Sequence, residues 1–383
     1  MGRHPLVVRS RIPESAAGVG SGLVQAAVDD PVRQLRPRVQ RILDDHLRRQ
    51  RALLGELSPQ LLVLVDAAAD LFAGGKRLRP AFCYWGWHGT GAPDSEALVN
   101  AAASLELFHA AALIHDDLID GSDLRRGMPS AHRRFAGLHE DQGWAGQPSR
   151  FGEAAALLLG DLCLGWSDEL LNAADLPAAA LRRGRAVFER MRTELIAGQY
   201  LDVLEQATGA LRPAGQATRA RRVIRYKSAK YSVEHPLVLG GSLAGAPPAL
   251  LSSYSRYGLA LGEAFQLRDD VLGVFGDPQH TGKPAGDDLR EGKRTLLIAY
   301  AVERASPGQV GRIESLLGDP SLDAPGVDAL REIIVDTGAL QRVERLVDEL
   351  ANTAAAALAD AEIAAEARTA LGELITLATA RIG

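Results

Sequence analysis

The sequence predicts an all-α protein, a single bundle of roughly ten helices or more. Three observations carry this reading. From about Val39 onward, apolar residues recur at three- and four-residue spacing, the period of a helix with one buried face. Nowhere do β-branched residues alternate with polar ones for six positions, so no sheet is expected. The 383 residues, 46% of them hydrophobic, can bury roughly three quarters of the unfolded surface.

Taken in order, residues 1 to about 33 are rich in Gly, Ser, Pro and Arg without an apolar period. They read as a mobile tail before one domain, 34–383. "VQRILDDHLRRQRALL" and "LVDAAADLFAGG" are amphipathic, the second stopped at Gly74-Gly75. "EALVNAAASLELFHAAALIHDDLID" is apolar on most faces and predicts a buried central helix. "AAALLLGDLCLGWSDELL", "LRRGRAVFERMRTELIAGQYLDVL", "YGLALGEAFQLRDDVLGVFG" and "RTLLIAYAVERA" follow the same period, as does the run from "VERLVDELANTAAAALADAEI". Loops rich in Gly or Pro are expected at 136–150, 206–219 and 276–287.

Composition excludes several classes. A net charge of −5, from 43 basic and 48 acidic residues, leaves no excess to attract a nucleic acid. No uninterrupted apolar stretch reaches the ~18 residues of a membrane span. Cys83 and Cys163 sit in apolar surroundings, which fits a reducing cytoplasm rather than a disulfide scaffold. Arg9 and Arg11 follow "LVV" with no apolar core of a signal peptide behind them. A soluble cytoplasmic protein is expected.

Only Lys76, Lys227, Lys230, Lys283 and Lys293 are lysines; all other basic residues are arginines. Where arginine has displaced lysine so widely, the survivors mark sites that need a compact ammonium. They fall in "GGKRLRP", "YKSAKYS" and "TGKPAGDDLREGKRT". The acidic motif "LIHDDLID" places Asp116 and Asp120 on one helix face, with Asp117 about 100° round. Paired carboxylates on an apolar helix resist burial unless a cation lies between them. Oxygen-only donors suit Mg²⁺, which takes one or two carboxylates and completes its shell with water and phosphate. The bland alternative is a solvated helix end neutralised by Arg125 and Arg126. A second acidic pair, Asp269-Asp270 in "FQLRDD", follows another apolar helix, with Gly273 at the i+4 position. Two acid pairs, each followed by cations, describe carboxylates facing each other across a cavity, metals between them and a polyanion beneath. Lys76, Arg79, Arg125, Arg126, Lys227 and Lys283 could neutralise a diphosphate there.

In this order, "GGKRLRP", "LIHDDLIDGSDLRRGMPSAH", "AGQYLD", "YKSAKYS", "FQLRDD" and "GKPAGDDLREGK" resemble the trans-isoprenyl diphosphate synthases, the polyprenyl synthetase family, over about residues 70 to 300. The resemblance implies the isoprenoid-synthase helical fold around a central cavity, and a homodimer. It implies condensation of isopentenyl diphosphate with an allylic diphosphate, assisted by three Mg²⁺, with Mn²⁺ able to substitute. By the same resemblance, Lys76, Arg79, His109 and Arg126 belong to the isopentenyl diphosphate site. Asp116 and Asp120 are the main metal ligands, supported by Asp117. Arg125, Lys227 and Lys283 clamp the allylic diphosphate. Asp269 is a second-motif ligand, with Asp270 and Asp287 in the hydrated shell. Gln199, Asp202, Ser228 and Gln266 line the reaction centre. Gly273 departs from members with a third Asp there. Lys230 and Lys293 either join the site or pair with nearby acids.

Small Ala111 and Ala112 below the first motif let a growing chain pass, and bulky Phe108 lies about 12 Å below Asp116 at 1.5 Å per residue. A geranylgeranyl (C20) product is expected, with farnesyl (C15) as the alternative. A class I terpene cyclase would share the acidic motif, but its second metal motif is missing and "GGKRLRP" would have no purpose. A di-iron bundle needs a second Glu-x-x-His besides Glu106–His109. A non-catalytic regulatory subunit would be expected to have lost an acidic motif or the lysines.

Overall fold

Helices form where the apolar period runs, and the computed structural model describes them over residues 30–208, 212, 214–276, 286–319 and 321–380. A single turn, Asp30–Arg33, precedes α1 (Leu35–Leu57), and Val32 is buried. The expected tail thus gives way to helix before residue 33, and its residues 1–29 lie outside the described residues. α2 (Leu62–Phe72), α3 (Leu78–His88) and α4 (Glu96–Asp120) follow. A hairpin of two two-residue strands, β1 (Leu124–Arg125) and β2 (Met128–Pro129), interrupts the helices. Next come α5 (Ala131–Asp141), α6 (Pro148–Asn172), α7 (Ala178–Thr208) and α8 (Gln216–Val223). A π-helix, Ile224–Glu234, leads into α9 (His235–Ala244) and then α10 (Pro248–Phe275). After a short turn, Asp287–Arg290, the chain ends in α11 (Leu296–Arg304), α12 (Pro307–Leu316), α13 (Ala324–Asp336), α14 (Ala339–Ala359) and α15 (Ala365–Thr379).

The expected loops are shorter than their composition implied. Residues 136–141 stay in α5, because Phe135, Leu138 and His139 keep a helical face against the core. Residues 206–208 continue α7, and α8 begins at Gln216. Of the third loop, 277–285 lie outside the described residues, and Asp287 starts a helical turn.

α4 is the central element. By length and composition it could cross a membrane, yet 72% of its most apolar window is buried within the protein, as expected of a core helix. It packs most closely on α6, while α10 packs on α14 and the π-helix, and α9 on α3. The π-helix is gripped from two sides by glycines. A Cβ at Gly198 of α7 would meet the Lys227 nitrogen at 2.4 Å, and one at Gly262 of α10 would meet the Ala229 carbonyl oxygen at 2.5 Å. Those contacts fix Lys227 and Ser228 between α7 and α10, beside the end of α4. Cys83 and Cys163 are free and buried; burial pushes the Cys163 thiol up to about 12 and that of Cys83 higher still.

Candidate active site

α4 carries its apolar face down to Asp120 and stops at Gly121, whose φ of 68° is left-handed, so no side chain resists the turn. The last turn of the helix therefore brings Asp116 to the wall of a cavity of about 720 Å³, whereas Asp120 is not among the residues that line it. Asp116 lines this cavity. Its Oδ1 accepts from Lys227 Nζ at 2.9 Å and from Gln199 Nε2 at 3.0 Å, and Arg125 lies 3.7 Å from Oδ2. Burial opposes its charge, but Lys227, Lys293 and Arg125 outweigh burial and hold this carboxyl well below the usual range. Asp120, one helical turn on, has a side chain only 1% exposed, 3.2 Å from Lys293 Nζ, and neither carboxylate oxygen has a hydrogen-bond partner. Burial raises its pKa, and the charges of Asp116 and Glu291 add to the rise. Asp117, expected in a supporting role, does not line the cavity. One hundred degrees round the helix, it turns from the cavity and is locked to the Arg125 guanidinium, whose Nε donates to both oxygens at 3.0 Å.

The second acidic pair closes the opposite wall. Asp269 and Asp270 end the apolar run of α10 and line the same cavity. Gln266, one turn earlier, donates to Asp270 Oδ1 at 2.8 Å. Desolvation lifts both carboxyls to about 7; Asp269 is open to the cavity itself yet deep in the bundle, and Asp288 adds repulsion at both. Lys293 joins the two walls, sitting 3.2 Å from Asp120, 3.5 Å from Asp288 and 2.5 Å from Glu291.

The cations come from three segments. Arg77, in a left-handed conformation with φ 54°, is buried and anchors the turn before α3. It donates to Glu106 at 2.5 Å and Gln40 at 2.7 Å, and also to the Phe72 carbonyl. That anchor lets Lys76 project, exposed, into the cavity. Arg79 donates to Tyr231 Oη at 2.9 Å and Ser232 Oγ at 2.8 Å, with its guanidinium 4.5 Å from the Tyr231 ring centre. His109 Nδ1 lies 3.4 Å from the same phenol oxygen. Burial, with Arg79, Arg126, Arg125 and Arg77 around it, keeps that imidazole neutral. Lys227 binds Asp202 at 2.7 Å as well as Asp116, and those two acids outweigh burial to raise its pKa.

The expected residues Lys76, Arg79, His109, Asp116, Arg125, Arg126, Gln199, Asp202, Lys227, Ser228, Gln266, Asp269, Asp270 and Asp287 therefore surround one cavity. Ala112 lines it, whereas Ala111 faces the packing between α4 and its neighbours. Phe108 is sealed behind the wall, its ring 5.5 Å from Phe188 and 6.3 Å from Tyr231. Lys230 pairs with Glu194 at 2.7 Å and Glu234 at 3.3 Å, away from the cavity. Lys283 lies outside the described residues. Sequence reasoning missed Arg77, Glu106, Tyr231 and Asp288. Glu106 carried a signal, since an acid on an otherwise apolar helix needs a cation when buried, but nothing in "GGKRLRP" singled out Arg77 as its partner.

Among the described residues, no three His, Cys, Asp or Glu side chains converge closely enough to hold a metal by themselves. The donor set nevertheless fits Mg²⁺, which keeps several waters and needs only one or two carboxylates plus phosphate oxygens. Asp120 is the least satisfied acid of the set: both oxygens are buried without a hydrogen-bond partner among the described residues, and only the Lys293 ammonium stands near, at 3.2 Å.

Residues 62–334 match the polyprenyl synthetase family model. The chain is 33% identical to a geranylfarnesyl diphosphate synthase of Aeropyrum pernix, over 71% of this chain and 79% of that one. It is 30% identical to a nonaprenyl diphosphate synthase of Mycobacterium tuberculosis, over 90% of this chain and 92% of the other. Its fold is similar to a geranylgeranyl pyrophosphate synthase of Corynebacterium glutamicum complexed with isoprenyl diphosphate and magnesium. That comparison gives a TM-score of 0.87 and 38% identity, over 91% of this chain and 99% of the other.

Proposed function

The chain belongs to the polyprenyl synthetase family, and from that premise we propose a Mg²⁺-dependent prenyl diphosphate synthase that extends an allylic diphosphate with isopentenyl diphosphate to a C20 product. One observation carries the reading: Asp116 on one wall and Asp269-Asp270 on the other enclose a single cavity that Lys76, Arg79, Arg125 and Lys227 also line. Asp116, Asp120 and Asp269 would hold Mg²⁺, with Asp270 supporting, and the metal would withdraw charge from the departing diphosphate.

The chain's own residues do the rest. Lys227 and Arg125 face the allylic diphosphate and balance the charge that grows as its C1–O bond breaks. Lys76, Arg79 and Arg126 bind the second diphosphate, whose double bond then forms the new C–C bond at C1. Neutral His109 is a hydrogen-bonding group for that diphosphate and no competing cation. The Gln266 amide and the Ser228 hydroxyl line the cavity and would offer oxygen dipoles to positive charge on the allyl group. The proton lost from the isopentenyl unit goes to the released diphosphate, so no protein base is required.

The C20 preference is supported by small Ala112 in the cavity wall one turn from Asp116 and by the ring cluster of Phe108, Phe188 and Tyr231 behind that wall, which would limit further growth. The relatives named above make geranylfarnesyl, nonaprenyl and geranylgeranyl diphosphates, so likeness alone leaves length undecided. The protein is proposed to be cytoplasmic and to work as a homodimer through exposed apolar side chains on α6 and α7, among them Leu158, Ile196 and Tyr200. Incubation with isopentenyl diphosphate, Mg²⁺ and C5, C10 or C15 primers, followed by chromatography of the dephosphorylated products, tests the reading. A dominant C20 alcohol supports it. A C15 product overturns the length, and no Mg²⁺-dependent turnover would make the chain a regulatory subunit.

A further inference from the structure

Lys230 is one of only five lysines in the chain, yet it does not line the cavity. It is buried among acids and a histidine. Its ammonium donates to Glu194 Oε2 of α7 at 2.7 Å and stands 3.3 Å from Glu234. His235, the first residue of α9, lies 2.9 Å from the same Glu194 oxygen, and Arg190 donates to the other at 2.8 Å. Ser255 of α10 donates to Glu234 at 2.5 Å. Burial opposes a charge on Glu194, but Lys230, Arg190 and His235 outweigh it and hold that carboxyl at about 2. The group ties α7, the π-helix, α9 and α10 together, and none of its members lines the cavity. We propose that Lys230 is a positioning residue: clamped to Glu194, it sets the rotation of the π-helix and so aims the Lys227 ammonium and the Ser228 hydroxyl into the cavity.

α7 meets the π-helix at three levels. At Asp202 a carboxylate accepts from Lys227 Nζ at 2.7 Å. Four residues earlier, at Gly198, the contact is bare backbone, where a Cβ would meet the Lys227 nitrogen at 2.4 Å. Four residues earlier again, Glu194 holds Lys230. The glycine fixes the distance between the two helices but has no side chain with which to resist rotation. The two ammonium–carboxylate pairs, about 12 Å apart along α7 at 1.5 Å per residue, supply what it lacks. Such support is needed, because π-helices seldom outlast a single turn and this one runs for 11 residues. A return to α spacing would change the angle between positions 227 and 230, and the two pairs register that angle against fixed points of α7. Tyr231 and Ser232 follow directly and accept from Arg79. Arg79 is itself carried by α3, so a rotated π-helix should displace Lys227 more than the isopentenyl diphosphate site.

The inference rests on the proposed reading of the cavity as a prenyl-transfer site. Its test is steady-state kinetics of the full chain with isopentenyl diphosphate, Mg²⁺ and a C15 primer, with melting temperature measured alongside. Lys230→Met keeps the length of the side chain and removes the ammonium. Its kcat should fall about tenfold while KM for isopentenyl diphosphate stays within about threefold of wild type. The melting temperature should fall too, because Glu194 keeps a buried charge that has lost a partner. Lys230→Met/Glu194→Gln removes both charges, so it should recover the melting temperature without recovering kcat. A merely structural pair would move the two together. The inference is overturned, and the cavity reading left intact, by a folded Lys230→Met with kcat within about twofold of wild type or with KM raised as much as kcat is lowered. A double variant in which kcat and melting temperature change together, or the failure of both variants to fold, overturns it equally. A wild-type chain without Mg²⁺-dependent transfer overturns both.

Discussion

Asp116 divides its Oδ1 between an ammonium and an amide, so its loss removes charge without opening the core. Lys227 would keep Asp202 at 2.7 Å, and no orphaned cation results. Asp116→Ala should therefore reduce kcat to below a tenth of wild type while the melting temperature stays within a few degrees. A variant with more activity than that, measured at saturating Mg²⁺, would remove Asp116 from the metal site. The two lysines should fail differently. Lys76 is exposed at the cavity edge, so Lys76→Ala should mainly raise KM for isopentenyl diphosphate. Lys227 meets charge that grows in the transition state, so Lys227→Ala should lower kcat. Equal defects in both substrates would mean that the two lysines do not serve separate diphosphate sites. The second acid pair sets a pH dependence. With both carboxyls near 7 when no metal is bound, protons hold the pair below that value and Mg²⁺ must displace them. Mg²⁺ affinity should rise with pH up to about 7 and then level off. The sign for stability is opposite: these raised groups cost the metal-free fold stability as pH climbs from the ordinary Asp range toward 7, and Mg²⁺ should restore it. A pH-independent Mg²⁺ titration between 5 and 8 would show that the pair does not bind metal.

Among the elements, α4 was legible in the sequence because an i, i+4 relation on one straight helix needs only the helical period. Asp116, Ala112 and Phe108 do share a face, and Asp117 does turn away by 100°. What the period could not reveal was depth: Ala111, one residue from Ala112, points into interhelical packing, and Phe108 is covered by Phe188 and Tyr231 from other helices. The π-helix was equally hidden, since the close packing of Gly198 and Gly262 against its backbone joins distant segments and leaves no mark in "YKSAKYS" itself. That placement decides which substitutions should alter product length. Ala112→Phe, at the cavity wall, should shorten the product toward C15 or C10. Phe108→Ala should cost ~3–5 kcal/mol of stability as a buried ring is lost. In the fraction that folds, the emptied space should lengthen products by one or two prenyl units, each about one helical pitch long. An unchanged distribution from folded Phe108→Ala, read by chromatography of the dephosphorylated products, would leave Phe188 and Tyr231 as the floor by themselves.

At the scale of the whole molecule, the site joins segments that are far apart in sequence, and the motifs announced themselves because charge on apolar helices is costly unless it is used. The residues that stayed hidden, Arg77 with Glu106 and Tyr231 with Arg79, acquire meaning only through a partner that the fold brings in. The outer surface carries a comparable signal. On α7, Ile196, Tyr200 and Val203 stand at i, i+4 and i+7 and are all exposed, Tyr200 by 66%. On α6, Leu157 and Leu158 are exposed by 49% and 59%. Scattered apolar residues need no partner, but the stripe on α7 beside the leucine pair on α6 is the surface that the proposed homodimer would cover. The inner face of α7 carries Gln199 and Asp202, which hold Asp116 and Lys227, so a partner seated on its outer face would stiffen the same helix that orients the site. Tyr200→Glu combined with Leu158→Glu should turn a dimer into a monomer by light scattering and lower kcat about tenfold, with the helical signal in circular dichroism unchanged. A wild-type chain that runs as a monomer at micromolar concentration, or a double variant that remains a dimer, would place the interface elsewhere or nowhere.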